Sequence, residues 1–259
     1  MLYINSQRDF LSTGPAGGGN SAYLRNSAIP EMGLQYIYES YNRRCSGYKT
    51  LFGLGIDYKY IIPRIVTDSN VYTRNGVHGL TAIAFIHRQG RLTANTSWGI
   101  KAKALYGQNC NEYLLLGGYA YQHYDDQPLN PKIDYKYTPI QTVAAWIDLY
   151  TKIKEQWEIG LFGGYSKNLG SLQSIQSHNN PSAYFVRGRD IDYLYRASVR
   201  VKYTVQKIQF GFEPEYTVAA YSNTLNEKGV PQKKSATFPD AKMNVVGNLR
   251  LLFNATLYF

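Results

Sequence analysis

Residues 241–259, AKMNVVGNLRLLFNATLYF, alternate in character to the last residue. Met243, Val245, Gly247, Leu249, Leu251, Phe253, Ala255, Leu257 and Phe259 share one parity. Asn244, Val246, Asn248, Arg250, Leu252, Asn254, Thr256 and Tyr258 share the other. Side chains on a strand project to opposite faces with period two. One face is therefore almost wholly apolar, and the other carries three Asn, a Thr and an Arg. A strand of about 17 residues is roughly three times as long as those of ordinary soluble sheets. Long, apolar on one side, polar on the other and aromatic at its end, the segment reads as the closing strand of an outer-membrane β-barrel.

The composition agrees. The chain has 259 residues, 25 of them Tyr, 10 Phe and 3 Trp. Tyr and Trp settle at the headgroup level of a bilayer, where barrels carry aromatic girdles. Mean hydropathy is −0.37, and no run approaches the ~18 apolar residues of a transmembrane helix. A barrel strand needs only about 10 residues, half of them polar. An aromatic-rich soluble β protein, such as a sugar-binding sandwich, is the rival reading. The net charge of +10 comes from scattered Lys and Arg with no basic run beyond Lys233-Lys234, which argues against nucleic acid as a partner. The start MLYINSQRDF has neither the basic nor the apolar region of a signal peptide.

Alternation recurs upstream. Strands are expected over 30–42, 49–62, 79–88, 91–106, 138–151, 155–167, 190–204 and 206–221, with a stub at Met1–Asn5 and the closing strand making ten. Short turns are expected at 42–48, 88–91, 152–155 and 205. Longer connections rich in Asn, Ser, Gly and Pro are expected at 6–29, 63–78, 107–137, 168–189 and 222–241. Barrels keep short turns on the periplasmic side and long loops outside. With the carboxy terminus at the periplasmic rim, every turn falls inside and every long connection outside, provided that 107–137 is one loop. The stretch GQNCNEYLLLGGYAYQ within it resembles a strand pair, so this is the weakest assignment. The stub is too short to span, so the chain is expected to be the carboxy-terminal part of a longer barrel. A complete ten-stranded barrel with a processed start is the alternative. The fold class is thus all-β, an antiparallel transmembrane β-barrel forming a single domain over 1–259.

GPAGGGNSAYLRNSAIPEMGLQ at 14–35, LFGLGIDYKYII at 51–62, YLLLGGY at 113–119, YTVAAY at 216–221 and the closing strand carry a resemblance over most of the chain. It resembles the DcaP-like outer-membrane porins of Bacteroidota. The resemblance implies a larger, sixteen-stranded homotrimeric porin of a Gram-negative outer membrane, in contact with lipid and lipopolysaccharide, passing small polar, often anionic solutes. About the first six strands of that pattern are missing here.

A porin acts through the lining of its constriction. Lys59, Lys101, Lys103, Arg196, Arg200, Lys202 and Arg250 fall on the polar parity and are the candidate lumen cations. Asp57, Asp148, Glu39 and Glu158 point the same way, and Glu213 and Glu215 lie on the strand next to Arg196 and Arg200, so wall ion pairs compete with solute contact. The loop 107–137 is the candidate constriction, with Tyr113, Leu114, Leu115 and Leu116 folding inward and Asp125 and Asp126 at its tip. An ordinary outer loop or a subunit contact fits it as well.

Two other classes stay open: a non-conducting structural or adhesive barrel, and a rim hydrolase using His123, Asp125 and Asp126 with Asp190 and Asp192 to activate water. His78, His87 and His178 have no evident Ser partner. No cofactor is implied: GPAGGGN lacks the Lys-Ser/Thr of a phosphate loop, and four dispersed His give no metal-ligand spacing. Cys45 and Cys110, at opposite ends of the barrel, are expected to stay unpaired, since a disulfide needs Cα atoms within about 7 Å.

Overall fold

The computed structural model describes residues 1–5, 14, 26–42, 48–110 and 116–258. Twelve strands follow in chain order: β1 (Leu2–Asn5), β2 (Glu31–Asn42), β3 (Tyr48–Ile61), β4 (Val77–Thr93), β5 (Thr96–Gln108), β6 (Gly117–Tyr121), β7 (Tyr137–Ile153), β8 (Trp157–Ser171), β9 (Tyr184–Arg187), β10 (Ile191–Val205), β11 (Ile208–Ser222) and β12 (Met243–Leu257). Ten of them form one antiparallel path, β1-β2-β3-β4-β5-β7-β8-β10-β11-β12, while β6 pairs with β7 and β9. All ten strands expected from alternation are present. The outer strands β1 and β12 each pair on one side only among the described residues. Consistent with that edge position, β12 is exposed on both of its faces.

Two local expectations need correction. The turn placed at Arg88–Arg91 is strand: β4 continues to Thr93, which faces Thr96 across a two-residue tip, Ala94-Asn95. Gly90 mimics a turn signal but serves packing, because a Cβ there would stand 2.5 Å from a ring carbon of Tyr48. The stretch 107–137 is one connection between neighbouring strands β5 and β7, yet it contains β6, paired at Gly118 with Ile140 and with Val186 of β9. It is a connection with a strand inside it, not a featureless loop. The tips at 154–156 and at Gln206-Lys207 fall within a residue or two of their expected places, with Lys154, Glu155 and Gln206 at positive φ. Cys45 lies outside the described residues, and Cys110 is buried.

Register sorts every side chain. Leu34, Ile56, Leu80, Ile100, Ile147, Leu161, Val199, Phe212, Leu251 and Phe253 occupy one face, and many of these remain exposed, Leu161 at 53% and Phe253 at 76%. On β3, β5, β8 and β10 this face begins near the short turns with Tyr48, Trp98, Trp157 and Tyr203. It ends near the long connections with Tyr58, Tyr106, Tyr165 and Tyr195. Between the two aromatic rows lie Ile100, Ala102 and Ala104 on β5, and Ala197, Val199 and Val201 on β10. A spacing of eight to ten residues corresponds to about 26–33 Å along a strand. Trp157 and Tyr203 pack at 4.5 Å between ring centroids, and Tyr48 and Trp98 at 6.2 Å.

The densest core sits at the loop end. Tyr119, Tyr121, Tyr135, Tyr137, Ile61 and Val77 form one buried cluster. Ile140, Ile175, Ala183, Tyr184 and Leu225 join Ala120 in a second. Segments from three long connections are hydrogen-bonded there: Gln176 N–H donates to Tyr121 O at 3.0 Å, His123 N–H to Ser174 O at 2.8 Å, and Ile175 N–H to Glu227 O at 2.8 Å. Arg64 adds a fourth, donating to Pro131 O at 3.0 Å and Ile133 O at 2.7 Å, with its guanidinium over the Tyr121 ring. These segments make a cap on the loop end of the sheet.

Candidate functional site

The second face is the chemically rich one. Each cross-strand row places one residue from every strand side by side. One row reads Phe85, Lys103, Trp146, Gly164, Arg196, Thr217, Asn248, and the next reads His87, Lys101, Asp148, Phe162, Ser198, Glu215, Arg250. Nearer the turns runs Arg91, Ser97, Lys152, Glu158, Lys202, Gly211, Asn254. All seven candidate cations, Lys59, Lys101, Lys103, Arg196, Arg200, Lys202 and Arg250, stand on this face. The acids Glu39, Asp57, Asp148, Glu158, Glu213 and Glu215 share it.

Contacts divide six of the cations into two groups, with Lys59 apart from both. Arg200 reaches both oxygens of Asp148 at 3.2 Å, and its Nη2 lies 3.4 Å from Glu158. Glu158 also receives Lys202 at 3.3 Å and Lys152 at 3.6 Å. Arg200 sits on β10 and Asp148 on β7, with β8 between them. The contact is possible because Gly160 occupies the intervening position, where a Cβ would stand 2.9 Å from Arg200 Nη2. Arg196 and Arg250 bracket Glu215 at 3.2 and 3.1 Å. Glu213 accepts from the Ser198 hydroxyl and not from an arginine. Of the two arginines expected beside the acids Glu213 and Glu215, Arg196 meets Glu215, and Arg200 turns to the opposite neighbour instead.

Lys101 and Lys103 form the second group. Lys101 lies 5.3 Å from the centroid of the Tyr150 ring, and Tyr150 Oη donates to Gln89 and meets His87 Nε2 at 3.0 Å. Neither lysine makes an ion pair among the described residues. Tyr150 and Gln89 were not singled out by sequence, and His87 was weighed there only for a Ser partner; their place on the same face as Lys101 was the available signal. Lys59 is buried near the loop end, on the strand where Asp57 accepts from Tyr3 Oη at 2.7 Å.

Of the proposed constriction, Tyr113, Leu114 and Leu115 lie outside the described residues. Leu116 is buried. Asp125 and Asp126 line a cleft of about 310 Å³ at the loop end with His123, His178, Ser177 and Glu227. The side chain of Gln176 braces its wall, accepting from Tyr124 N–H at 2.9 Å and donating to Asp125 O at 2.9 Å and Gln127 O at 2.7 Å. Of the rim residues considered for hydrolysis, His123, Asp125 and Asp126 are brought together. Asp190 and Asp192 do not line that cleft, and Asp192 is bound to Lys167 at 3.2 Å. His78 meets Tyr58 Oη at 2.8 Å. Among the described residues no three His, Cys, Asp or Glu side chains converge as metal ligands.

No protein family, curated protein or solved structure matches the chain.

Proposed function

We propose that the sheet is the wall of a transmembrane β-barrel of a Gram-negative outer membrane, and that it works as a passive porin for small polar solutes. The observation that carries this reading is the division of the faces. An exposed apolar face bounded by two aromatic rows suits a hydrocarbon core with headgroups at each side. A face with ten or more charged groups suits a wet lumen, since such charges facing lipid would cost about 2–4 kcal/mol each at mid-depth. Barrel closure engages the open edges of β1 and β12, and the resemblance to DcaP-like porins adds a homotrimer and a preference for anions. With Arg196, Arg200, Lys202 and Arg250 held by carboxylates, Lys101 and Lys103 are the residues proposed to meet a passing solute.

The test is conductance of the purified chain in planar bilayers. Stepwise openings are expected, in threes for a trimer, and silence in repeated preparations rejects the porin. A second reading, hydrolysis at the rim, rests on the cleft that gathers His123, Asp125, Asp126, His178 and Glu227. Peptide cleavage that is lost on His123→Ala, combined with silence in the bilayer, selects it.

A further inference from the structure

Because β5 pairs with β7, two hairpin tips stand side by side at the turn end: Ala94-Asn95 and 154–156. Lys154 N–H donates to Asn95 O at 2.7 Å, and the Thr151 hydroxyl donates to Ser97 O at 3.0 Å, so the tips are tied together. Between them opens a cleft of about 630 Å³, lined chiefly by Arg91, Asn95, Ser97, Lys152, Lys154 and Glu155.

The charge of this cleft is unbalanced. Three cations face one carboxylate, which leaves two positive charges. Lys152 does have an acid, Glu158, but Glu158 is already shared with Lys202 and Arg200. Arg91 and Lys154 have no ion pair among the described residues. Lys154 and Glu155 are both at positive φ, 51° and 57°, a conformation that non-glycine residues adopt at a cost and that persists where surroundings impose it. Here the two-residue turn closed by Gln156 N–H on Ile153 O at 3.2 Å requires it, and the bond to the Asn95 carbonyl holds the tip beside Arg91's cleft.

We propose that this cleft binds a phosphoryl group. A phosphate monoester carries close to two negative charges at neutral pH and three acceptor oxygens. The guanidinium of Arg91 offers a planar fork that grips two oxygens at once. The ammonium groups of Lys152 and Lys154 act as point charges, and Ser97 and Asn95 supply neutral donors. Binding relieves the mutual repulsion of the three cations, and as an exposed site it weakens with salt. The phosphoryl group has two possible sources: a soluble phosphate, or, if the sheet spans a membrane, a lipid headgroup that reaches round the turn end from the opposite face, where Trp98 and Trp157 stand.

The experiment is phosphorus NMR and titration calorimetry of the full chain in uncharged detergent, with inorganic phosphate as probe, followed by nanodiscs of phosphatidylglycerol or phosphatidylcholine. Inorganic phosphate, or phosphatidylglycerol in preference to phosphatidylcholine, is expected to bind. Arg91→Gln with Lys154→Gln is expected to weaken that binding at least ten-fold, with the circular dichroism spectrum unchanged. Lys233→Gln with Lys234→Gln, at the opposite end of the sheet, is expected to leave it as it was. Binding of phosphate in solution assigns a soluble source, and binding of phosphatidylglycerol alone assigns the headgroup. Absence of both, or equal binding by the folded cleft variant, overturns the proposal. None of these readouts needs conductance, so the site stands or falls separately from the porin.

Discussion

Arg200 shows how one side chain can organise a wall. It neutralises Asp148, itself only 8% exposed, and shares Glu158 with two lysines. Removing one member of a largely buried pair leaves the other charge uncompensated, so Arg200→Ala is expected to cost about 3 kcal/mol in denaturant unfolding. Lys101→Ala should cost far less, since no carboxylate depends on it. A second residue-level expectation concerns the cap. Burial pushes the phenols of Tyr121 and Tyr184 above their usual value of 10; Tyr184 Oη donates to His178 O at 2.6 Å. A phenol whose folded value is raised contributes stability that is present below pH ~10 and is lost as pH rises toward the folded value. In an alkaline titration these two should therefore ionise late and together with loss of amide-exchange protection in β6 and β9. Ionisation of both phenols with protection intact would contradict this.

At the scale of the element, β8 supplies the most direct test of what the apolar face meets. Leu161 stands midway between Trp157 and Tyr165 and is half exposed. Leu161→Lys is expected to lower stability in lipid vesicles by about 2–4 kcal/mol if this face lies against hydrocarbon; on a surface in water the change would be within about 0.5 kcal/mol. The nine long strands were legible because each alternates over twelve or more residues, and the stub β1 was read from Leu2 and Ile4 alone. The strand β9 was not legible, and β6 showed only as part of a stretch that resembles a strand pair, for a physical reason. GGYAY and YFVR are five and four residues long, too short to show a period, and each finds its partner through distant chain. The site was legible to the same depth. Period two put every candidate cation on one shared face, but the partner that Arg200 finds depended on Gly160, whose missing side chain lets it cross a strand. Nothing in a spacing rule distinguishes that glycine from those at turns.

Across the whole molecule, charge is distributed by region: ion pairs concentrate on β7, β8, β10, β11 and β12, while Lys101 and Lys103 on β5 make none among the described residues, although Lys101 faces Asp148 across the strands. If the sheet encloses a pore, Lys101→Glu with Lys103→Glu should move the reversal potential in a salt gradient toward cations. The same charge reversal at Lys233 and Lys234, in a long connection, should move it little; equal shifts would remove the two β5 lysines from the permeation path. The tight tips described above also bear on how such a chain can change over generations. With two- and three-residue tips on one side, a single inserted residue within a strand turns every later side chain of that strand to the wrong face. Length differences between natural versions of this chain should consequently gather in 62–76, 109–136, 172–190 and 223–242, leaving the tips at 94–95, 154–156 and 206–207 constant in length.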